Sequence, residues 1–265
     1  MGRHPREKEA LFPESLENAA RSLTKTNKIG AFMETDRLYR LGERDFPRMV
    51  EILTQCFAKD PLYCHLIPDP EVRSRALPEL FSCDIGQMMS DCQIYADSPD
   101  INGLIIVDDE SEPYNPLEYY ANEAFYSLKA DAYLIREDLS LKTLFNFLRG
   151  GPYLDSRWTD RLEQDQRLHI IYLAVTPDHQ GEGLARKLLS AVLEYADQKG
   201  LLTSLETHNV RNVSFYEQYG FQLFDTVCTD GELKQYCMIR PAAGKTLADH
   251  LSPEVLEQVA PGMEL

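Results

Sequence analysis

The sequence predicts an α/β protein, a mixed sheet with helices on both faces, and three observations point there. Strand-like alternation and helical periodicity take turns along the chain from residue 37 onward. The segment HIIYLAV (169–175), rich in β-branched and aromatic residues, runs through a glycine-containing loop straight into the amphipathic stretch LARKLLSAVLEYADQKG. FQLFDTVC and ELKQYCMIR then read as a closing hairpin, which makes part of the sheet antiparallel.

Residues 1–33 read as a helical extension, with Ser15 or a neighbour capping LENAARSL. RLYRLG (37–42) is a short strand, and Asp45 opens a helix that sets Phe46, Val50 and Leu53 on one face. DPLYCHLIPDP (60–70) reads as a proline-punctuated loop, and a second helix runs from Pro70 to about Cys92. QIYAD (93–97) and GLIIVDD (103–109) are strands. Residues 109–165 break the rhythm with 10 of the chain's 26 aromatic rings and 12 acidic against 6 basic residues. Two or three helices are expected there, inserted between strands, either packed on the body or walling a substrate pocket. After the strand at 169–175, Leu184, Leu188, Val192 and Tyr195 form one helical stripe that Lys199 and Gly200 end. SLETH is the next strand, Asn209 to Tyr219 the next helix, and a tail (241–265) ends in a helix capped by Ser252 with Pro253 first. The principal domain thus spans 34–240.

Composition excludes several classes. The formal net charge is −16, and such a field repels nucleic acid, whose binding depends on neutralised phosphates. It suits a cationic small molecule, though acidity also serves solubility alone. No apolar run is long enough to span a membrane, and the N-terminal residues lack the pattern of a signal peptide. The six cysteines show no metal-ligand spacing, so no metal is expected and scattered reduced thiols point to the cytoplasm.

The informative stretch is VTPDHQGEGLAR (175–186). Gly181 and Gly183 let the backbone approach a ligand closely, and the first turn of the following helix offers free N–H groups. The helix dipole adds about half a positive charge at that end, so the junction can cradle a pyrophosphate with Arg186 as a supplement. Gly181-x-Gly183 is followed by Arg186 where a dinucleotide fingerprint needs glycine, and the GxxxxGK[ST] phosphate loop is absent.

Gln180 to Ala185 reads Q-x-x-G-x-A and resembles the [RQ]-x-x-G-x-[GA] signature of the GNAT acetyltransferase superfamily. HIIYLAVTPDHQGEGLA is similar to its fourth strand and following loop. LETHNVRNVSFYEQYGF (205–221) is similar to its next strand and helix, with Asn209, Asn212, Phe215, Tyr216, Gly220 and Phe221 at favoured positions. FAKDPLYCHLIPDP (57–70) resembles the first-helix region of the puromycin acetyltransferase-like branch.

The resemblance implies a seven-strand, mostly antiparallel sheet split between strands four and five, with acetyl-CoA as cosubstrate. Leu173, Ala174 and Val175 would offer backbone to the pantetheine arm. The amides of Gln180, Gly181, Glu182, Gly183, Leu184, Ala185 and Arg186 would hold the pyrophosphate. Asn209 would bond the pantetheine arm or simply cap its helix. Tyr216 matches the tyrosine that protonates the departing thiolate, with a core aromatic as the alternative. His169, where many relatives place Glu, would accept the amine's proton; Glu206 on the facing strand is the rival, and a water chain could serve instead. The implied reaction is direct attack of a primary amine of a small cationic molecule. A protein N-terminus or lysine as acceptor, and a non-catalytic acyl-CoA-binding module, are the alternatives. The oligomeric state stays open, a homodimer included. Within the insertion, Tyr114, Tyr119, Tyr120, Phe125 and Tyr126 are expected to line the acceptor pocket, since ring faces beside carboxylates suit a cation.

Overall fold

A computed structural model describes residues 37–229 and 231–259; the helical extension expected over 1–33 lies outside them. The chain begins with β1 (Tyr39–Arg40), a 3-10 turn, α1 (Phe46–Phe57), α2 (Pro61–Leu66) and α3 (Pro70–Asp91). Then follow β2 (Gln93–Ala96) and β3 (Gly103–Asp109). The insertion contains α4 (Pro116–Glu137), α5 (Lys142–Arg149), α6 (Gly151–Leu154) and a 3-10 turn at Arg157–Leu162. The second half is β4 (Arg167–Val175), α7 (Leu184–Lys199), β5 (Leu202–Thr207), α8 (Val210–Glu217), β6 (Gln222–Val227), β7 (Gln235–Arg240) and α9 (Pro253–Leu256).

Three helices start by one device. Asp60, Asp69 and Asn115 each accept a backbone N–H two residues on, and each is followed by proline at the first helical position. Residues 61–66 are therefore a short helix rather than the loop expected from their prolines. The cap and proline that start it offset its lack of length.

The seven strands form one sheet in the order β1-β2-β3-β4-β5-β7-β6. Only β4 and β5 are parallel; every other pair is antiparallel. Alternation along the strands feeds two cores. Leu104 and Ile106 face α1 and α3, meeting Met49, Ile52, Leu53 and Phe81. Ile105 and Val107 face the other way, with Leu168, Ile170 and Leu205, onto Leu188, Leu189 and Val192 of α7. A third cluster joins Trp158 and Leu162 of the insertion to Phe224, Ile239 and, near the C-terminal end, Leu251 and Val255.

The aromatic insertion sits on the outer side of α3. The Tyr126 ring occupies the space over Gly86, where an added Cβ would come within 2.5 Å of it. Asn122 Nδ2 donates to Gln87 O (3.1 Å) and Ser90 Oγ (2.8 Å) on the same side of that helix. Tyr114 and Tyr120 are exposed. Tyr126 and Asn122 thus dock α4 on α3. No described helix is long and apolar enough to cross a membrane, and all six cysteines are free.

Candidate active site

The site grows from the place where two parallel strands part. β4 pairs with β5 only from Arg167–Leu202 to Ile170–Leu205. The next residue, Ile171, is an extra one in the β3–β4 ladder, because Val107 pairs with Ile170 while Ile106 pairs with Tyr172. Such a bulge bends its strand and re-aims the side chains beyond it. Leu173, Ala174 and Val175 continue along β3 but lie past the last β4–β5 pair, so their other edge borders a gap. Val175 O in that stretch already accepts from Gln180 Nε2 (3.2 Å) and Cys56 Sγ (3.2 Å).

The loop after β4 turns through residues Pro177–His179 and reaches α7 by two left-handed glycines, Gly181 (φ +86°) and Gly183 (φ +84°). An added Cβ would meet nothing at either position, so it is the backbone angle that calls for glycine. The N–H groups of Gln180 and Glu182 are spent on turn bonds at 3.4 Å. Those of Gly181, Gly183, Leu184, Ala185 and Arg186 have no partner among the described residues, and Gly183 supplies no side-chain cap. A cluster of unpaired donors at the positive end of a sixteen-residue helix fits a pyrophosphate.

Across the gap, Asn209 caps α8 by accepting the Arg211 N–H (3.1 Å), which realises the capping alternative for its oxygen; its amide nitrogen has no partner among the described residues. Tyr216 lies on α8 against Phe221 (ring centroids 5.7 Å) and is 8% exposed. Its hydroxyl has no partner among the described residues, and burial pushes the phenol well up, so it stays protonated.

His169 and Glu206 are brought together rather than set apart as rivals. His169 Nδ1 is 2.8 Å from Ser204 Oγ, and Nε2 is 3.1 Å from Ser156 Oγ and 3.3 Å from a Glu206 oxygen. Ser156 gives its one proton to Glu206 (2.7 Å), so the ring must donate at Nε2 and accept from Ser204 at Nδ1 when neutral. That leaves His169 no lone pair for a substrate proton. Burial opposes charge on Glu206, but His169, Ser156 and the Trp158 indole (2.9 Å) outweigh it and hold the carboxyl below its ordinary 4.5. We expect Glu206→Ala to cost about 3–5 kcal/mol, since removing one partner strands the others in a buried site; urea unfolding measures it. The same depressed pKa means that this contribution is complete above pH 4.5 and is lost as pH falls through the lower folded value.

Groups that sequence patterns did not single out complete the picture. His208, just past β5, has a buried Nε2 without a partner among the described residues, and desolvation holds its ring down at about 4. Tyr172, next after the bulge, donates to Asp84 Oδ2 of α3 (2.8 Å), and Tyr63 OH lies 3.4 Å from Tyr172 OH. Burial pushes the Asp84 carboxyl up to about 6. The only signals in the sequence were an acid inside a helix and a histidine at a strand end.

Comparison with known proteins agrees with this architecture. Residues 105–221 match the family model for the acetyltransferase (GNAT) family. An uncharacterized N-acetyltransferase of Schizosaccharomyces pombe is 33% identical over 72 residues, 26% of this chain and 29% of that protein's length. A crystal structure described as histone acetyltransferase HPA2 and related acetyltransferase, from Corynebacterium glutamicum, superimposes with a TM-score of 0.51 at 18% identity, covering 79% of this chain and 97% of that one; this likeness concerns the fold. Residues 105–221, which hold the split between β4 and β5 and the glycine loop, are thus similar to the GNAT acetyltransferase family.

Proposed function

We propose that the protein transfers the acetyl group of acetyl-CoA to a primary amine of a small cationic molecule by direct attack, in the cytoplasm. The observation that carries this reading is the strand gap leading into five unpartnered amides at the start of α7. Gly181, Gly183, Leu184, Ala185 and Arg186 would take the pyrophosphate. Leu173 and Ala174 on one edge of the gap, with the Asn209 amide on the other, would take the pantetheine arm. Tyr216, kept protonated by burial, would donate to the thiolate as the carbon–sulfur bond breaks. His169 and Glu206 hold the closed end of the gap, and the proton lost by the amine leaves through water. The acidic chain, at −16, favours a cationic acceptor.

Adding CoA should raise the melting temperature, because a ligand at 100 times its Kd contributes about 2.7 kcal/mol. Calorimetric titration with CoA checks the same binding directly. No binding at millimolar CoA would defeat the assignment.

A further inference from the structure

Asp84 is a half-buried carboxylate whose only hydrogen-bond donor among the described residues is one phenol. Tyr172 gives its single proton to Asp84 Oδ2, so Tyr63 must be the donor in the contact between the two tyrosines. The chain of bonds therefore runs Tyr63 to Tyr172 to Asp84 and stops. Oδ1 has no partner, and no lysine, arginine or histidine among the described residues forms an ion pair with this carboxylate. Carboxylates withdrawn from water are ordinarily paired with a cation, because the desolvation cost is otherwise uncompensated.

The surroundings say what kind of cation is missing. The Tyr172 ring packs edge-on against Phe57 (5.4 Å) and Phe81 (6.0 Å), and Tyr63 packs on the same two rings at 6.1 and 5.3 Å. A carboxylate beside aromatic walls suits an ammonium attached to hydrocarbon, which gains ionic and cation–π attraction together. The position is also particular. Tyr172 is the first residue beyond the Ile171 bulge, two places past the last β4–β5 pair, so Asp84 reaches the strand where the gap begins.

We propose that Asp84 Oδ1, with the Tyr172 ring beside it, is the docking point for the acceptor's primary ammonium, and that the site takes a monoamine carried on an apolar chain. The inference rests on the acetyl-transfer reading above, which puts the acyl group in that same gap. It assigns to Asp84 the discrimination between a charged amine and a neutral molecule of the same shape. Tyr172 acts as a positioning residue through its bond to Oδ2.

The test uses the full chain saturated with CoA, probed with benzylamine and phenethylamine and with the matching alcohols, at neutral pH. In wild-type protein, titration should show the ammonium compounds binding at least tenfold tighter than the alcohols. Asp84→Asn should abolish that preference while leaving the CoA-induced melting shift unchanged. The variant should fold, because a carboxyl raised from 3.8 to about 6 loses stability as pH rises through that window, a penalty that asparagine does not carry. Tyr172→Phe, which keeps the ring and removes the donor, should weaken ammonium binding several-fold without affecting the alcohols. Equal binding of amine and alcohol by the wild type, or an undiminished preference in Asp84→Asn, would overturn the inference. Failure of CoA itself to bind would instead defeat the acetyl-transfer reading, so the two failures are distinct.

Discussion

Gly183→Asp should abolish the melting shift that CoA produces while leaving the protein folded. The position has φ +84°, where a residue with a Cβ is strained by about 1–2 kcal/mol, and the new side chain meets no neighbour that it must displace. The fold can carry that cost, because the loop is exposed and outside both cores. Binding cannot. The carboxylate would stand at the N-cap of α7, where an aspartate readily accepts first-turn N–H groups. It would thus occupy the donors that an incoming pyrophosphate needs and add like-charge repulsion. Gly183→Ala separates the two effects: it shares the strain but neither the charge nor the capping, so it should weaken CoA binding only modestly. Calorimetric titration of both variants measures this, and normal CoA affinity in Gly183→Asp would show that the pyrophosphate lies elsewhere.

Tyr216→Phe should lower kcat about 10²–10⁴-fold if protonation of the thiolate limits turnover, with KM for acetyl-CoA nearly unchanged. The substitution removes one oxygen from a residue that is 8% exposed and packed against Phe215 and Phe221. Since the hydroxyl bonds no described residue, its loss strands no partner, and the melting temperature should hold or rise. A core role alone would therefore leave kcat intact. Steady-state assay beside a thermal melt distinguishes a catalytic hydroxyl from a packing ring. Full activity in the variant would return Tyr216 to packing.

Much of the fold was legible because local backbone chemistry dictates it. A β-branched strand, two glycines at positive φ and an amphipathic helix closed by Gly200 (φ +70°) follow one another without needing distant contacts. The seven-strand, mostly antiparallel sheet and the parting of β4 from β5 followed from the resemblance that this stretch carries. The short helix α2 was hidden because its two flanking prolines read as loop punctuation, although Asp60 before Pro61 is a helix start. The pairing of His169 with Glu206 was out of reach for a different reason. It depends on the register of β4 against β5, and on Ser156 and Trp158 arriving from the insertion. The docking of α4 on α3 turned on one residue, Gly86, which leaves room for the Tyr126 ring. Asp84 was overlooked because an acid within an amphipathic helix reads as solvent-facing until the bulge in β4 aims Tyr172 at it.

The most direct test of the central claim is release of free thiol from acetyl-CoA, followed with purified protein across a panel of primary alkyl- and arylalkylamines, with products identified by mass spectrometry. The account predicts thiol release that depends on the amine, saturates with it, matches N-acetyl product one for one, and collapses in Tyr216→Phe. Tight CoA binding with no amine-dependent release anywhere in the panel would contradict it and leave a domain that holds acyl-CoA without turning it over.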